Sequence, residues 1–201
     1  MIDFKPKLLD SLKGNITPFE IVFAGFIDPA ITDKFPQIKY VKTSDIKPAQ
    51  CYEVARRNCT GELVCWIDDD HIFSEGFVDK VCDFYDSVVP FESNYHRVVI
   101  ATNYVETGTD ETIEQSRFFA RNLNTPQLGL LDAGYIIGRL HADIQMRVLA
   151  DGGKIEVFKG ATATLNSKNK NGLYNNFWSG WNEDSEQLEN SWVIGGYKRF
   201  S

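Results

Sequence analysis

No stretch of about 18 or more apolar residues occurs in this 201-residue chain, so nothing in it reads as a membrane-spanning helix. Its first residues, Met1-Ile2-Asp3-Phe4-Lys5, lack the charged-then-apolar order of a secretory signal, which makes a cytoplasmic location the expectation. Positive charge is in deficit: 21 Lys and Arg face 28 Asp and Glu, a formal charge of −7. Such a balance argues against a nucleic-acid backbone or an anionic membrane as the main partner, since neither attracts an acidic surface. Histidine is scarce, and His71, His96 and His141 are expected at the surface or in packing rather than as ligands. The four cysteines, Cys51, Cys59, Cys65 and Cys82, stand 8, 6 and 17 residues apart, which matches no zinc ribbon or redox pair. They read as reduced thiols in apolar surroundings. Internal repeats, low-complexity runs and a Pro/Gly-rich linker are also missing, and with 43% hydrophobic residues the chain reads as one domain with a sizeable core.

What is present is an alternation of helical and strand-like segments. Apolar residues from about Phe4 to Leu12 fall at helical spacing and stop at Gly14. Glu20 to Ala24 is a short apolar run suited to a buried strand, closed by Gly25, and Ile38 to Val41 is a second extended piece. Pro48 opens a helix that runs to Asn58 before Gly61. Leu63 to Ile67 is the strongest strand, and Ser74 is placed to cap a helix from Glu75 to Val88 with Phe77, Val81 and Phe84 on its buried side. Val98 to Ala101 and Ile155 to Phe158 are further strands, and Ala142 to Leu149 is a helix stopped by Gly152-Gly153. The order predicts an α/β, Rossmann-like domain with a mostly parallel central sheet flanked by helices. Ligands of such sheets bind beyond the carboxyl ends of the strands.

The strand Leu63 to Ile67 runs straight into Asp68-Asp69-Asp70. Three adjacent carboxylates repel and resist joint ionisation, so something must compensate them. A hard divalent ion, Mn²⁺ or Mg²⁺, does so through oxygen ligands, commonly one or two carboxylates with nucleotide phosphates. Alternation along an extended segment lets Asp68 and Asp70 face one site while Asp69 faces another. The same residues also fit a solvated acidic turn in which Asp70 or Ser74 caps the next helix.

The context of that run resembles a known pattern. Ala55-Arg56-Arg57-Asn58, Thr60-Gly61-Glu62, Leu63 to Asp70 and Phe77-Val78 are similar to GT-A type, metal-dependent glycosyltransferases. In that family a helix bearing Ala-Arg, a small-Gly-acidic turn and an apolar strand lead into an Asp-x-Asp motif. The similarity spans about Glu20 to Val88 and continues more weakly to the C-terminus. It implies that Asp68 contacts the nucleotide ribose and Asp70 the metal bridging the phosphates, with Asp69 assisting either. Gly25, Phe26 and Arg56 would lie near the uracil or ribose, although a solvated helix arginine accounts for Arg56 equally well.

A second constellation, Phe177-Trp178-Ser179-Gly180-Trp181-Asn182-Glu183-Asp184, sets two tryptophans beside two carboxylates. Flat aromatic faces cover apolar sugar C–H surface, and carboxylates accept hydroxyl hydrogen bonds or a proton. The segment resembles the family's acceptor site. It implies Asp184 as general base of an inverting transfer and Glu183 as its support, with Trp178, Trp181 and Tyr135 as the acceptor or sugar platform. The acidic first turn of a helix explains the same carboxylates, because the dipole favours negative charge there. A rival alignment uses Leu140-His141-Ala142-Asp143 followed by Gly152-Gly153, which would put Asp143 or His141 where the base is expected. Asp132-Ala133-Gly134-Tyr135 and Gly138-Arg139 precede that helix, and small residues there let backbone approach a donor sugar.

The family pattern opens with a strand whose loop helps hold the uracil, whereas here a helix precedes the first strand. The expectation is therefore a small or N-terminally shortened member, with residues from about 1 to 105 forming the nucleotide and metal half and about 106 to 201 the acceptor half. The activity implied is transfer of a sugar from a UDP-sugar to a hydroxyl-bearing acceptor with Mn²⁺ or Mg²⁺. The alternative is a degenerate domain that binds UDP, metal or glycan without turnover. Nucleotidyl transfer ranks last, as no Gly-rich phosphate loop followed by a basic residue lies near the N-terminus.

Overall fold

The computed structural model describes residues 6–25, 38–44, 47–67, 71–88, 98–107, 113–122, 140–150 and 152–166, together with 183, 185, 186 and 188. In chain order the elements are α1 (Pro6–Ser11), β1 (Ile21–Gly25), β2 (Ile38–Lys42), α2 (Pro48–Arg57), β3 (Leu63–Cys65), β4 (His71–Phe73), α3 (Phe77–Val88), β5 (Val98–Thr107), β6 (Ile113–Asn122), α4 (Leu140–Ala150) and β7 (Lys154–Asn166).

Among the described residues the strands make two sheets, a parallel β1-β2 pair and a five-stranded sheet in the order β3-β6-β5-β7-β4. Within the larger sheet β5 and β7 run parallel, while β3-β6, β5-β6 and β4-β7 are antiparallel. The fold is α/β, but this sheet is mixed rather than mostly parallel. The reason is β6, which returns antiparallel beside β5 and separates it from β3. No apolar run marks that strand in the sequence Ile-Glu-Gln-Ser-Arg-Phe-Phe-Ala-Arg-Asn.

Helices cover both faces of the larger sheet, and the period of two along β5 decides which residue goes where. Ile100 and Tyr104 join a core made with Leu8, Leu9 and Leu12 of α1 and its following turn and with Phe77, Val81 and Tyr85 of α3. Val99 and Ala101 join the opposite core with Ala49 of α2 and Ile144 and Val148 of α4. Val64 and Trp66 belong to that second core, whereas Leu63 and Ile67 pack against the first. A six-residue helix such as α1 is too short to persist alone, so its leucines and tertiary bonds hold it. One such bond runs from the Phe73 amide to Ser11 Oγ at 3.1 Å, which also covers part of β4.

The start of α3 differs from the expectation. Ser74 Oγ accepts the Thr162 amide at 3.0 Å, so it ties β7 in place instead of capping a helix, and α3 begins at Phe77. The cap comes from 63 positions away in the sequence. Asn15 Oδ1 accepts the amides of Val78 at 2.8 Å and Asp79 at 3.3 Å, and the Asp79 carboxylate accepts those of Ile16 and Thr17 at 2.9 and 2.7 Å. The two Asn15 bonds satisfy first-turn donors that the helix cannot pair internally, and the Asp79 bonds fix the Asn15 turn against the helix start. Phe84, expected in the core, is half-buried and stacks on Phe158 at 4.4 Å, while Tyr85 takes the buried position.

Candidate functional site

The acidic run itself, Asp68 to Asp70, lies outside the described residues; its flanks do not. Trp66, just after β3, is 5% exposed, and His71, which opens β4, is 2% exposed with its ring 5.7 Å from that of Tyr104. β3 and β4 occupy opposite edges of the five-stranded sheet, so the chain between Cys65 and His71 joins one edge to the other. Among the described residues no group of three or more His, Cys, Asp or Glu is placed to hold a metal ion. Carboxylate oxygens are the donor chemistry that Mn²⁺ or Mg²⁺ takes, and Asp68 and Asp70 are the residues of this chain offered for it.

Of the residues expected around a nucleotide, Gly25 ends β1, and its carbonyl accepts the Tyr40 hydroxyl at 2.5 Å and the Thr43 amide at 3.1 Å. A Cβ at Gly25 would come within 2.7 Å of the Phe23 ring, so a larger residue there requires that ring to move. Phe26 lies outside the described residues. Arg56 is not a solvated helix arginine: its side chain is 14% exposed, and its Nε and Nη2 bind both oxygens of Glu53 at 2.8 and 2.9 Å. Glu53, itself 5% exposed, also accepts Arg57 Nε at 2.7 Å. The Glu53 bond holds the Arg56 guanidinium charged, raising its pKa against the opposing effect of burial. Glu53 went unremarked in the sequence, although its spacing of three and four residues to Arg56 and Arg57 on one helix was a readable signal.

In the acceptor half, Glu183 is helical and exposed. Asp184, Trp178, Trp181 and Tyr135 lie outside the described residues, as does the side chain of His141. Leu188, four residues after Asp184 in the sequence, packs against the core that contains Trp66. Asp143, the rival base, is 5% exposed and ion-paired with Arg147 one turn along α4.

Beneath the β3 end of this region is a cavity of about 430 Å³. Its walls come from Glu20 to Val22 of the β1 side and Leu63 to Ile67 of the β3 side, floored by Phe73, Phe77 and Val81. Glu20 bridges the two sides, its carboxylate accepting the Thr60 amide, the Thr60 hydroxyl at 2.8 Å and the Gly61 amide at 3.0 Å. The Thr60 amide bond is the main cause of the lowered Glu20 pKa. Cys51, Cys59, Cys65 and Cys82 are all free thiols, and the last three line this cavity.

No protein-family model and no curated protein matches the sequence. Solved structures do match in fold. The first 349 residues of S. aureus TarS superimpose with a TM-score of 0.59 at 15% identity, over 92% of this chain and 61% of that one. The same TarS fragment with UDP-GlcNAc gives a TM-score of 0.59 at 16% identity, covering 92% of this chain and 62% of the other. GalNAc-T7 with UDP, GalNAc and Mn²⁺ gives 0.59 at 13% identity, covering 80% and 41%. The class defined by these likenesses is the GT-A glycosyltransferase fold. This chain spans about three-fifths of the TarS fragment, 61% of its length. Among the described residues no helix is long and apolar enough to cross a membrane.

Proposed function

We propose that this chain is a glycosyltransferase that moves a sugar from a UDP-sugar to a hydroxyl acceptor with inversion, assisted by Mn²⁺ or Mg²⁺. The observation that carries the reading is the coincidence of a GT-A-like fold with an aspartate run that begins three residues after β3 in the sequence, as the resembled motif has it. TarS has been solved with UDP-GlcNAc and GalNAc-T7 with UDP, GalNAc and Mn²⁺, which makes a nucleotide-sugar and a divalent ion the first ligands to test. In this reading Asp68 binds the ribose and Asp70, with Asp68, holds the cation. The cation supplies charge neutralisation for the departing diphosphate, the main electrostatic task of such a transfer. Asp184 takes the acceptor's hydroxyl proton for in-line attack, Glu183 orients the acceptor, and Trp178, Trp181 and Tyr135 offer it flat apolar faces. Arg56, held by Glu53, is the arginine offered near the uracil or ribose.

Titration of UDP into the protein in a calorimeter, with Mn²⁺ and again with a chelator, tests the site. Binding that requires the metal is expected, and Asp70→Ala is expected to abolish it. Asp184→Asn is expected to keep UDP binding while removing transfer by about 100-fold or more, the usual scale of a general base. Loss of binding and transfer together in that variant would count against the assigned roles.

A second reading, in which the domain binds UDP, metal or glycan without turnover, rests on the rival assignments of the base to Asp184 or to Asp143, the latter ion-paired with Arg147. Release of sugar from any of several UDP-sugars in the presence of Mn²⁺ rules that reading out.

A further inference from the structure

β5 changes register at one place, between Thr102 and Asn103, and it does so against both of its neighbours. Ala101, just before the break, pairs with Phe119 of β6 and Val157 of β7 and belongs to the core made with α2 and α4. Alternation puts Asn103 next on that face. In an unbroken ladder its neighbours would be Arg117 and Lys159, two residues on from Phe119 and Val157. Asn103 pairs instead with Ser116 and Thr162, which leaves Arg117 of β6 and Lys159, Gly160 and Ala161 of β7 without a register partner on β5. A basic residue is thus set out of the ladder on each side of one break. The β7 irregularity is held in place, because the Thr162 amide donates to Ser74 Oγ at 3.0 Å and the Ser74 amide to the Thr162 carbonyl at 2.9 Å. Bulges re-aim side chains and are over-represented beside active sites.

We propose that Arg117 and Lys159 form an anion subsite that takes a phosphate group at the carboxyl end of the larger sheet. Cys65, the last residue of β3, pairs with Ala120, which pairs with Ile100, so β3 ends three residues short of Asn103. Ligands of α/β sheets bind beyond such strand ends. The aspartate run also begins three residues after Cys65 in the sequence. The sheet face is open at this level, Val157 being 52% exposed and Lys159 exposed as well. Lys154, earlier on β7, is paired with Glu156 at 2.6 Å, whereas among the described residues no carboxylate is paired with Lys159. Arg117 and Lys159 stand two strands apart, about 10 Å across the sheet, a span that an arginine and a lysine are long enough to close on one phosphate. Guanidinium and ammonium groups are the side chains of phosphate recognition, and in a chain of charge −7 an anion needs such a local pair to offset the surrounding carboxylates. The phosphate is either the nucleotide's diphosphate or one carried by the hydroxyl acceptor, and only that choice rests on the transferase reading.

The test is titration of the ¹⁵N-labelled protein with pyrophosphate and with glucose 6-phosphate in metal-free buffer, followed by amide NMR, and with UDP in the presence of Mn²⁺ by calorimetry. The variants are Arg117→Gln, Lys159→Gln, the two together, and Lys154→Gln as a control of equal charge change away from the break. At least one of the phosphate compounds is expected to shift the amides of 102–103, 116–118 and 159–161. The double variant is expected to weaken that compound about tenfold or more, Arg117→Lys to restore most of the Arg117→Gln loss, and Lys154→Gln to leave binding unchanged. Lys159→Gln, at an exposed residue, decides alone if the double variant does not fold. A loss shared by UDP and pyrophosphate assigns the subsite to the nucleotide, and a loss confined to glucose 6-phosphate assigns it to an acceptor phosphate. No binding at millimolar ligand, shifts only at other amides, or equal affinities of the unaltered protein and the double variant for every compound would each overturn the proposal. If UDP fails to bind while pyrophosphate or glucose 6-phosphate still depends on Arg117 and Lys159, the nucleotide-sugar reading falls and the subsite stands. Metal-dependent UDP binding, with no compound sensitive to either variant, is the reverse result.

Discussion

Glu53 holds two arginines with one buried carboxylate, and its two partners differ in what they contribute. Arg56 is nearly as buried as Glu53, so removing the acid strands a positive charge in a poorly solvated place. Glu53→Ala is expected to lower stability by about 3 kcal/mol in urea unfolding. Arg57 has a side chain 59% exposed, and Arg57→Ala is expected to cost less than about 1 kcal/mol in the same measurement. Two other carboxylates, Glu20 and Asp79, have pKa values lowered mainly by backbone amides, those of Thr60 for Glu20 and of Thr17 and then Ile16 for Asp79. A depressed folded-state pKa stabilises above the unfolded value and loses that contribution as pH falls through the folded one. The ordinary values are 4.5 and 3.8, so the urea midpoint is expected to be flat near neutrality and to fall as the pH drops below about 4.5. The pair Glu20→Gln and Asp79→Asn is expected to flatten that decline; an unchanged slope would remove these two groups as its source.

At the level of elements, the start of α3 is the clearest case of a helix whose boundary is set from outside. Asn15 gives its side-chain oxygen to the first-turn amides, and its amide nitrogen donates to the Leu12 carbonyl at 2.7 Å, so one residue both ends the α1 turn and begins α3. Asn15→Ala is expected to cost about 1–2 kcal/mol, near the upper end for a lost cap, measured as a shift in the urea midpoint at unchanged m-value. Ser74→Ala removes no cap; it leaves the Thr162 amide without its acceptor instead. Much of the element pattern was legible in the sequence. The strand at Ile21, the helix opened by Pro48, the helix ending at Val88 and the helix stopped by Gly152 all follow from apolar spacing and stop signals. β6 and β4 were not legible. β6 carries Glu114, Gln115, Arg117 and Arg121 between its apolar residues, and β4 is three residues long. Neighbouring strands make such segments extended, and a local pattern does not register them. β5 and β7 likewise run past their apolar starts to Thr107 and Asn166, carried on by pairing with each other beyond the register shift at Thr102 and Asn103.

For the whole molecule, the functional reading predicts a linkage between ligand and stability. A ligand at 100 times its Kd adds about 2.7 kcal/mol to the folded state. For a chain of 201 residues that corresponds to a rise in Tm of roughly 5–10 °C. UDP with Mn²⁺ is expected to give this rise in a thermal scan, and a chelator to erase it. A UDP-induced rise that survives the chelator would detach nucleotide binding from Asp68 and Asp70. The candidate site divides along the same line as the fold. Asp68 to Asp70 and the Trp178 to Asp184 segment stand out in composition as dense carboxylates and paired tryptophans, and all but Glu183 lie outside the described residues. The packing of Leu188 against the core that holds Trp66 was not legible, since the two lie 122 positions apart in the sequence.

The sequence by itself determined where most helices and buried strands form. Those features depend on backbone hydrogen bonds and side-chain periodicity within a few residues of each other. Only the tertiary structure decided that the larger sheet is mixed, that Asn15 rather than Ser74 caps α3, and that Arg56 is committed to Glu53. Pairing between strands and bonds such as those of Glu20 with Thr60 or Asn15 with Val78 join residues 40 and 63 positions apart. Which partner each edge finds is settled by competition among all the surfaces of the collapsed chain, and local sequence does not encode that competition.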